Sequence, residues 1–381
     1  MTRRYLPGAT IGLMGSGQLG RMFSIAARRM GYRVHVFSPE KDTPAGQFAD
    51  REVTGAYEDE TAVRDFAKAL DLLSFEFENI PRQTVDWCAA ECEVRPASTI
   101  LHTAQNRLRE KDFLSAAGIP VAPYRAVHSA PELAAAVRGL KTPAILKSAA
   151  FGYDGKGQRL IEEPHDLNEI WKNRPGDELI LERAVDFEKE VSLIVARGPD
   201  SSMATFPLCE NVHRNHILDV TVVPARVPAK VETSAADLAR AIAEKLDLIG
   251  LLAVEMFLQR DGDLLVNELA PRTHNSGHWT IEGCTTSQFE QHVRAVCGLP
   301  LGSTEVLRPC AMANLLGDLW ENGEPNWASA LGVEGVHLHL YGKRQPQPRR
   351  KMGHLTALAA NAEAAIVAVI AARDALGRRT G

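Results

Sequence analysis

Over the first hundred residues, short apolar runs alternate with stretches whose apolar positions recur at helical spacing. Ile11 to Met14 has the length of a strand, and Gly15-Ser16-Gly17-Gln18-Leu19-Gly20 breaks it. Arg21 to Met30 reads as a helix closed by Gly31, and Val34 to Phe37 as a second strand that stops before Pro39. A helix near Glu60 to Leu70 then leads into a third strand, Leu72 to Phe77. Strand, helix, strand repetition predicts a parallel sheet with helices on both faces. Further on, Leu179 to Leu181, Val191 to Val195, Leu252 to Leu258 and Leu264 to Val266 read as strands around a helix from Ser234 to Leu246. This middle region is therefore α+β. Short strands at Met312 to Leu316 and Val336 to Tyr341 precede an alanine-rich helix from about Asn361 to Leu376.

The length of 381 residues predicts two or three domains, with Arg95-Pro96 and Arg308-Pro309 near plausible boundaries. Hydrophobic residues at 45% and charged residues at 24% describe an ordinary globular chain. A net charge of -5 argues against a nucleic-acid partner. No apolar run approaches the roughly 20 residues of a membrane span, and Met1-Thr2-Arg3-Arg4 leads into no apolar signal region. The six cysteines include Cys88 and Cys92 at helical spacing, but no second pair completes a zinc quartet. Reduced thiols in a cytosolic protein are the expectation.

Four stretches carry chemistry. Gly15, Gly17 and Gly20 fit G-x-G-x-x-G between a strand and a helix, and Glu40 has the spacing of a ribose-binding acid. Ser38 ends the second strand, however, and Pro39 intervenes, so the turn reads better as positioning a phosphorylated or polar substrate. Glu76 and Glu78, two apart in an extended segment, are expected to point together at the carboxyl end of the third strand; solvated loop carboxylates are the plain alternative. The strand Ala144 to Lys147 runs toward Phe151-Gly152-Tyr153-Asp154-Gly155-Lys156-Gly157-Gln158. Its glycines admit phosphate oxygens to the backbone and its lysines supply charge, without the Walker spacing. Glu182-Arg183-Ala184-Val185 follows a strand and Glu190 opens another, an edge that can meet an adenine and a ribose.

The sharpest signal is the stretch from Val254 to Glu268. Asp261-Gly262 reads as a two-residue hairpin turn, which places Arg260 opposite Asp263, Gln259 opposite Leu264 and Glu255 opposite Glu268. Carboxylates opposed at about 5 Å repel unless a cation lies between them. Oxygen ligands without a cysteine or histidine pattern favour Mg²⁺ shared with nucleotide phosphates. Asn267 should face away unless the strand breaks there. Lys343, Arg344, Arg349, Arg350 and Lys351 form a late basic cluster, either a solvated hairpin or a phosphate clamp.

Together these stretches resemble the ATP-grasp superfamily and, more narrowly, the 5-(carboxyamino)imidazole ribonucleotide synthases of purine biosynthesis. The likeness rests on Gly15 to Met22, Phe75 to Pro81, Gly152 to Gln158, Asn267-Glu268, Pro271-Arg272-Thr273-His274-Asn275-Ser276-Gly277-His278 and Arg350-Lys351-Met352-Gly353-His354. Thr273 stands where that family usually has a second proline. The resemblance implies a Rossmann-like domain over residues 1–103, an ATP-grasp domain over 104–305, and a β-rich C-terminal domain with a terminal helix over 306–381. It implies carboxylation of aminoimidazole ribonucleotide by bicarbonate and ATP, through carboxyphosphate, in a cytoplasmic homodimer. It assigns ATP to Arg107, Lys147, the loop Gly152, Tyr153, Asp154, Gly155, Lys156, Gly157 and Gln158, the segment Glu182, Arg183, Ala184 and Val185, and Glu190, His213, Asn267 and Glu268. Glu255 and Glu268 would hold Mg²⁺, with Mn²⁺ as a substitute. His274, Arg272, Tyr153 and Glu76 would surround bicarbonate and the amine. Gln18, Leu19, Glu76, Asn275, Lys343, Arg350 and Lys351 would bind the ribonucleotide. Three rivals stand beside this reading: a formate-using glycinamide ribonucleotide transformylase, a nicotinamide oxidoreductase and a non-catalytic nucleotide sensor. Tyr153-Asp154 and His354 speak against the first, and the presence of both metal carboxylates against the last.

Overall fold

The computed structural model describes residues 3–150, 157–163 and 166–377. The first strand, Thr10–Met14, lies between Arg33–Ser38 and Leu72–Phe75; Arg51–Thr54 and Glu93–Val94 close the edges of an all-parallel five-stranded sheet. Helices Gln18–Arg29, Glu60–Ala67 and Arg82–Ala89 connect the strands. Ile11, Leu13, Val34, Val36, Leu72 and Leu73 are buried, as expected for strands covered on both faces. The chain runs outward in both directions from the central strand. Met14 and Phe75 therefore end side by side at a switch point, the place where open parallel sheets take ligands.

A second, antiparallel sheet runs in the order Tyr124–Val127, Leu179–Arg183, Ala144–Ser148, Gln158–Ile161. Helix Ala130–Leu140 covers it through Leu133 and Val137. The third sheet is the largest. Its order is Leu264–Ala270, Gly250–Gln259, Phe187–Arg197, Cys209–Arg214, Ile217–Val223, Cys310–Leu316, Lys351–Leu358 and Val336–Leu340, with Met203–Thr205 beside Phe187–Arg197. Leu193 and Val195 pack toward helix Ala229–Lys245, and their neighbours Ile194 and Ala196 pack toward Trp279. Both faces of these strands are therefore apolar. The late strands do not stand alone: Cys310–Leu316 pairs with Ile217–Val223, and helix Ala362–Leu376 packs on Ala313, Leu315 and Leu355.

Two helices start earlier than expected, the first at Gln18 and not Arg21, the long middle one at Ala229 and not Ser234. The third strand ends at Phe75, not Phe77; Glu76 N–H makes the last bond, to Met14 O at 3.0 Å, and its side chain enters the glycine turn. Cys88 lies in helix Arg82–Ala89, but Cys92 falls beyond it, and all six cysteines are free. Among the described residues no helix is long and apolar enough to cross a membrane.

Candidate active site

The hairpin of Gly250–Gln259 and Leu264–Ala270 does set Glu255 opposite Glu268, by a route the sequence count misses. Its loop holds three residues, Arg260, Asp261 and Gly262. Gln259 N–H donates to Asp263 O at 2.9 Å, and Gly262 sits at φ +92°. A left-handed glycine closing a three-residue loop moves the pairing by one, so Leu258, not Gln259, faces Leu264. A bulge then inserts Asn267, with Val266 opposite Met256 and Glu268 opposite Glu255. The two irregularities cancel. Asn267 stands at the break that lets it share the face of Glu268.

The carboxylates are held by different elements. His274 Nε2 lies 2.9 Å from Glu255 Oε1, and Arg107 Nη1 lies 3.1 Å from Glu268 Oε2. Burial alone would raise the Glu255 carboxyl; the His274 ring, with His213 and Lys351 beyond it, outweighs burial and holds it well below the usual range. Two opposed carboxylates with oxygen donors only suit a hard dication. No group of three or more His, Cys, Asp or Glu among the described residues is arranged to hold a metal. A cation here would therefore need further oxygens from a ligand, as Mg²⁺ takes them from phosphates.

The small antiparallel sheet brings cations to the same place. Lys147 Nζ donates to Glu182 Oε2 at 3.0 Å, with both residues buried. Burial raises the Glu182 carboxyl, but Lys147, Lys111 and Arg107 together hold it below its ordinary value. Gln158 pairs with Lys147 across the ladder, and Gly157 O accepts Ser148 N–H at 2.9 Å. Glu182 lies inside its strand, not after it, so alternation turns Arg183 outward. Arg183 is exposed and its N–H bonds to Pro123 O, while the Ala184 N–H bonds to Pro143 O. Arg183 can therefore face a nucleotide only through its backbone, as a strand-edge segment does, and Val185 is half-buried beyond it. Glu190 pairs with His213 from the neighbouring strand, and this bond overcomes burial to raise the His213 pKa. Gly152, Tyr153, Asp154, Gly155 and Lys156 lie outside the described residues.

A chain of polar side chains, all on interior positions, ends at His274. Thr221 Oγ1 donates to Asn211 Oδ1 at 3.0 Å, and Asn211 Nδ2 donates to Ser192 Oγ at 2.8 Å. Ser192 Oγ donates to Ser276 Oγ at 2.8 Å, and Ser276 Oγ lies 2.8 Å from His274 Nδ1. Ser276 N–H also donates to that nitrogen at 3.3 Å. A backbone N–H can only donate, so the network assigns Nδ1 as acceptor and leaves the ring proton on Nε2, facing Glu255. Gln288 fixes the backbone: its Oε1 accepts His274 N–H at 2.8 Å and its Nε2 donates to His274 O at 2.7 Å.

On the parallel-sheet side, the Gly17 and Gly20 N–H groups both donate to the Glu76 carboxylate, Gly20 at 2.6 Å. The anion at the start of helix Gln18–Arg29 is the chain's own, which leaves those two N–H groups engaged and argues against a dinucleotide. Burial raises the Glu76 carboxyl despite them. Glu76 and Glu78 do not act as a side-by-side pair. The strand has already ended, and Glu78 instead takes the Nε and Nη2 edge of Arg272, 2.7 Å at Nη2. Lys343 Nζ donates to Gln18 Oε1 and to Lys351 O, both at 2.6 Å, with Leu19 half-buried beside Gln18. Burial, together with Arg350 and Lys351, lowers Lys343 to about 8. Arg344 turns to Asp42 and Arg349 to Asn215 O, so three of the five basic residues remain together. Asn275 is buried with neither side-chain amide atom bonded. Lys351 acts electrostatically on Glu255, and Lys343 on Glu76, so the late basic residues border both halves of the cleft.

Sequence reasoning missed Lys111 and Glu110, buried on helix Arg107–Ala116. Lys111 follows Arg107 by four, a like-charge helix pair that makes sense only where acids face both. It also missed Ser192, Asn211 and Thr221, whose signal is polar residues at core positions of strands.

Family models match nearly end to end: a ribonucleotide synthetase preATP-grasp domain over residues 8–105, an ATP-grasp domain over 112–289, and a phosphoribosylaminoimidazole carboxylase C-terminal domain over 310–367. The N5-carboxyaminoimidazole ribonucleotide synthase of Bacillus subtilis is 47% identical over 350 residues, which span 92% of this chain and 91% of that one. A crystal structure of an N5-carboxyaminoimidazole ribonucleotide synthetase with ADP superposes with a TM-score of 0.94 at 43% identity, covering 99% of this chain and 100% of the other. The Aspergillus clavatus N5-carboxyaminoimidazole synthase, in complex with ADP and 5-aminoimidazole ribonucleotide, superposes with a TM-score of 0.88 at 31% identity, covering 98% and 99%.

Proposed function

The chain belongs to the N5-carboxyaminoimidazole ribonucleotide synthase family, and from that membership we propose how its cleft divides the work of the reaction. It is an ATP-dependent ligase of purine biosynthesis that carboxylates 5-aminoimidazole ribonucleotide. Bicarbonate is a poor electrophile, and transfer of the ATP γ-phosphoryl to it makes carboxyphosphate, whose phosphate can leave when the amine attacks. The observation that carries this reading is one continuous line of groups. Lys147, Arg107 and the Glu255/Glu268 pair stand at one end, and Gln18, Lys343 and Lys351 at the other.

Lys147 and Arg107 neutralise phosphate charge where it develops, which is most of what phosphoryl transfer needs from a protein. Glu182 accepts from nucleotide hydroxyls while Lys147 keeps it ionised. Glu255 and Glu268 would hold Mg²⁺, or Mn²⁺ in its place, with Asn267 beside them. Such an ion supplies positive charge to the phosphates during transfer. His274 Nε2, which bonds Glu255 here, would turn toward bicarbonate and the amine once a cation takes that carboxylate, and Asn275 adds an unengaged amide. Arg272 acts there only as far as Glu78 releases its guanidinium edge. Tyr153, carried by family likeness, belongs to this group. Lys343, Arg350 and Lys351 clamp the ribonucleotide phosphate against Gln18. The chain is taken as the cytoplasmic homodimer that family membership implies.

ADP release tests the reading. It should require both bicarbonate and 5-aminoimidazole ribonucleotide for coupled product formation, and formate should not replace bicarbonate. ADP formed equally with formate, or with glycinamide ribonucleotide, would move the chain to another ATP-grasp reaction.

A further inference from the structure

Leu264–Ala270 is the edge strand of its sheet, and around the bulge at Asn267 helix Arg107–Ala116 meets its outward-facing backbone groups one by one. Lys111 Nζ donates to Val266 O at 3.1 Å and to Asn267 O at 2.9 Å. The neighbouring Glu110 accepts Leu269 N–H through Oε2 at 2.9 Å. Arg107, one turn earlier, reaches the Glu268 carboxylate itself. Val266 N–H, on the same outer edge, donates to Pro120 O at 2.8 Å, just past the same helix. Four consecutive residues of the strand, 266 to 269, are thus held from one side.

Glu110 is 2% exposed and Lys111 1%. Taking a carboxyl group and an ammonium out of water is costly, and their mutual attraction with that of Glu182 for Lys111 only partly offsets it. An apolar pair would fill the space more cheaply. What an apolar pair could not do is bond to the two carbonyls and the N–H that this edge strand turns outward, of which the Asn267 carbonyl faces outward only because of the bulge. Without the bond to Asn267 O the strand would gain by shedding the bulge, since a regular ladder would return that carbonyl to the partner strand. A one-residue slip would then carry Glu268 to the opposite face from Glu255.

We propose that Glu110 and Lys111 are positioning residues that splint the bulge and so aim Glu268 and Asn267 at the dication. The proposal rests on the reading that Glu255 and Glu268 hold that ion. Groups that orient metal ligands typically change affinity by about 10–100-fold when removed.

Mn²⁺ serves as the probe, titrated by electron paramagnetic resonance into the full chain with ADP present and no turnover. Lys111→Met and Glu110→Leu should weaken Mn²⁺ about 10–100-fold, while ADP binding without metal stays within about threefold of the unaltered chain. Glu110→Gln keeps an oxygen for Leu269 N–H and should bind Mn²⁺ within about threefold. If Lys111→Met does not fold, Lys111→Gln takes its place, with one donor for two carbonyls and the same expected weakening. Glu268→Gln separates the two ideas. Should it bind Mn²⁺ as tightly as the unaltered chain, the metal reading fails. Should it lose Mn²⁺ while the Lys111 and Glu110 variants keep theirs, the splint is overturned.

Discussion

Arg272 gives one edge of its guanidinium to Glu78, a residue 194 positions earlier in the chain. Its Nη1 donates to Thr273 O at 3.0 Å, so every nitrogen of the group is engaged. The pair ties the loop after Leu264–Ala270 to the carboxyl end of the parallel sheet, next to Glu76. Burial would raise the Glu78 carboxyl, and Arg272 reverses the direction. The guanidinium also reaches Glu268 and Glu76 electrostatically. One cation therefore senses the metal hairpin and the substrate end at once.

Glu268→Gln should abolish ADP formation at ordinary Mg²⁺ while near-ultraviolet circular dichroism stays unchanged. The amide keeps the shape and removes the charge that a dication needs. Near-normal turnover in this variant would remove Glu268 from the metal site.

His274→Ala should lower carboxylated product by about 10²–10⁴-fold, with ATP binding close to the unaltered chain. The proton on Nε2 makes a further distinction. A glutamine can place a donor nitrogen near the same point, so His274→Gln should recover at least tenfold over alanine. If glutamine is as poor as alanine, the ring works as a base and the assigned tautomer is not the working one.

The ribonucleotide KM should rise as pH passes about 8, where Lys343 loses its proton. Only the ammonium clamps a phosphate, so KM approaches a tenfold rise per pH unit above that point. Folding responds in the opposite sense. Between about 8 and the ordinary lysine value the unfolded chain holds more protons than the folded one, so this group adds stability as pH rises. Lys343→Arg should flatten the KM profile from pH 7 to 9.5, and a flat profile in the unaltered chain would exclude Lys343 from the clamp.

Gly277→Ala should impair both stability and turnover. A Cβ there would stand 2.8 Å from Gln288 Cδ and press on Ile194 Cδ1. Gln288 is the residue that fixes the His274 backbone. The expected loss is about 1–3 kcal/mol by overpacking, seen as a lower Tm, with kcat reduced more than the ATP KM. Unaltered kcat would mean that His274 tolerates a shift of its support.

The parallel sheet, the antiparallel strands and the Glu255/Glu268 pair were all legible in local pattern. The pair was reached by a count that was off by one at Gly262 and off by one again at Asn267. Aspartate-glycine closes both two- and three-residue loops, so the sequence of the turn cannot choose between them. The bulge carbonyl of Asn267 is bonded by Lys111, more than 150 positions away. Glu78 with Arg272, and the line from Thr221 to His274, are equally long-range. The strand before the Glu182 segment runs two residues further than its apolar run, to Arg183, because polar Glu182 and Arg183 still pair in the ladder.

The shared sheet also sets a timetable for synthesis. Ile217–Val223 acquires its outer neighbour only when Cys310–Leu316 has left the ribosome. At about 5–20 residues per second, that apolar edge waits on the order of 5–20 s. During that interval it offers a bare row of N–H and C=O groups to any other nascent chain. A polypeptide released early, before Cys310, would keep that edge permanently and would be expected to aggregate rather than survive as a clampless enzyme.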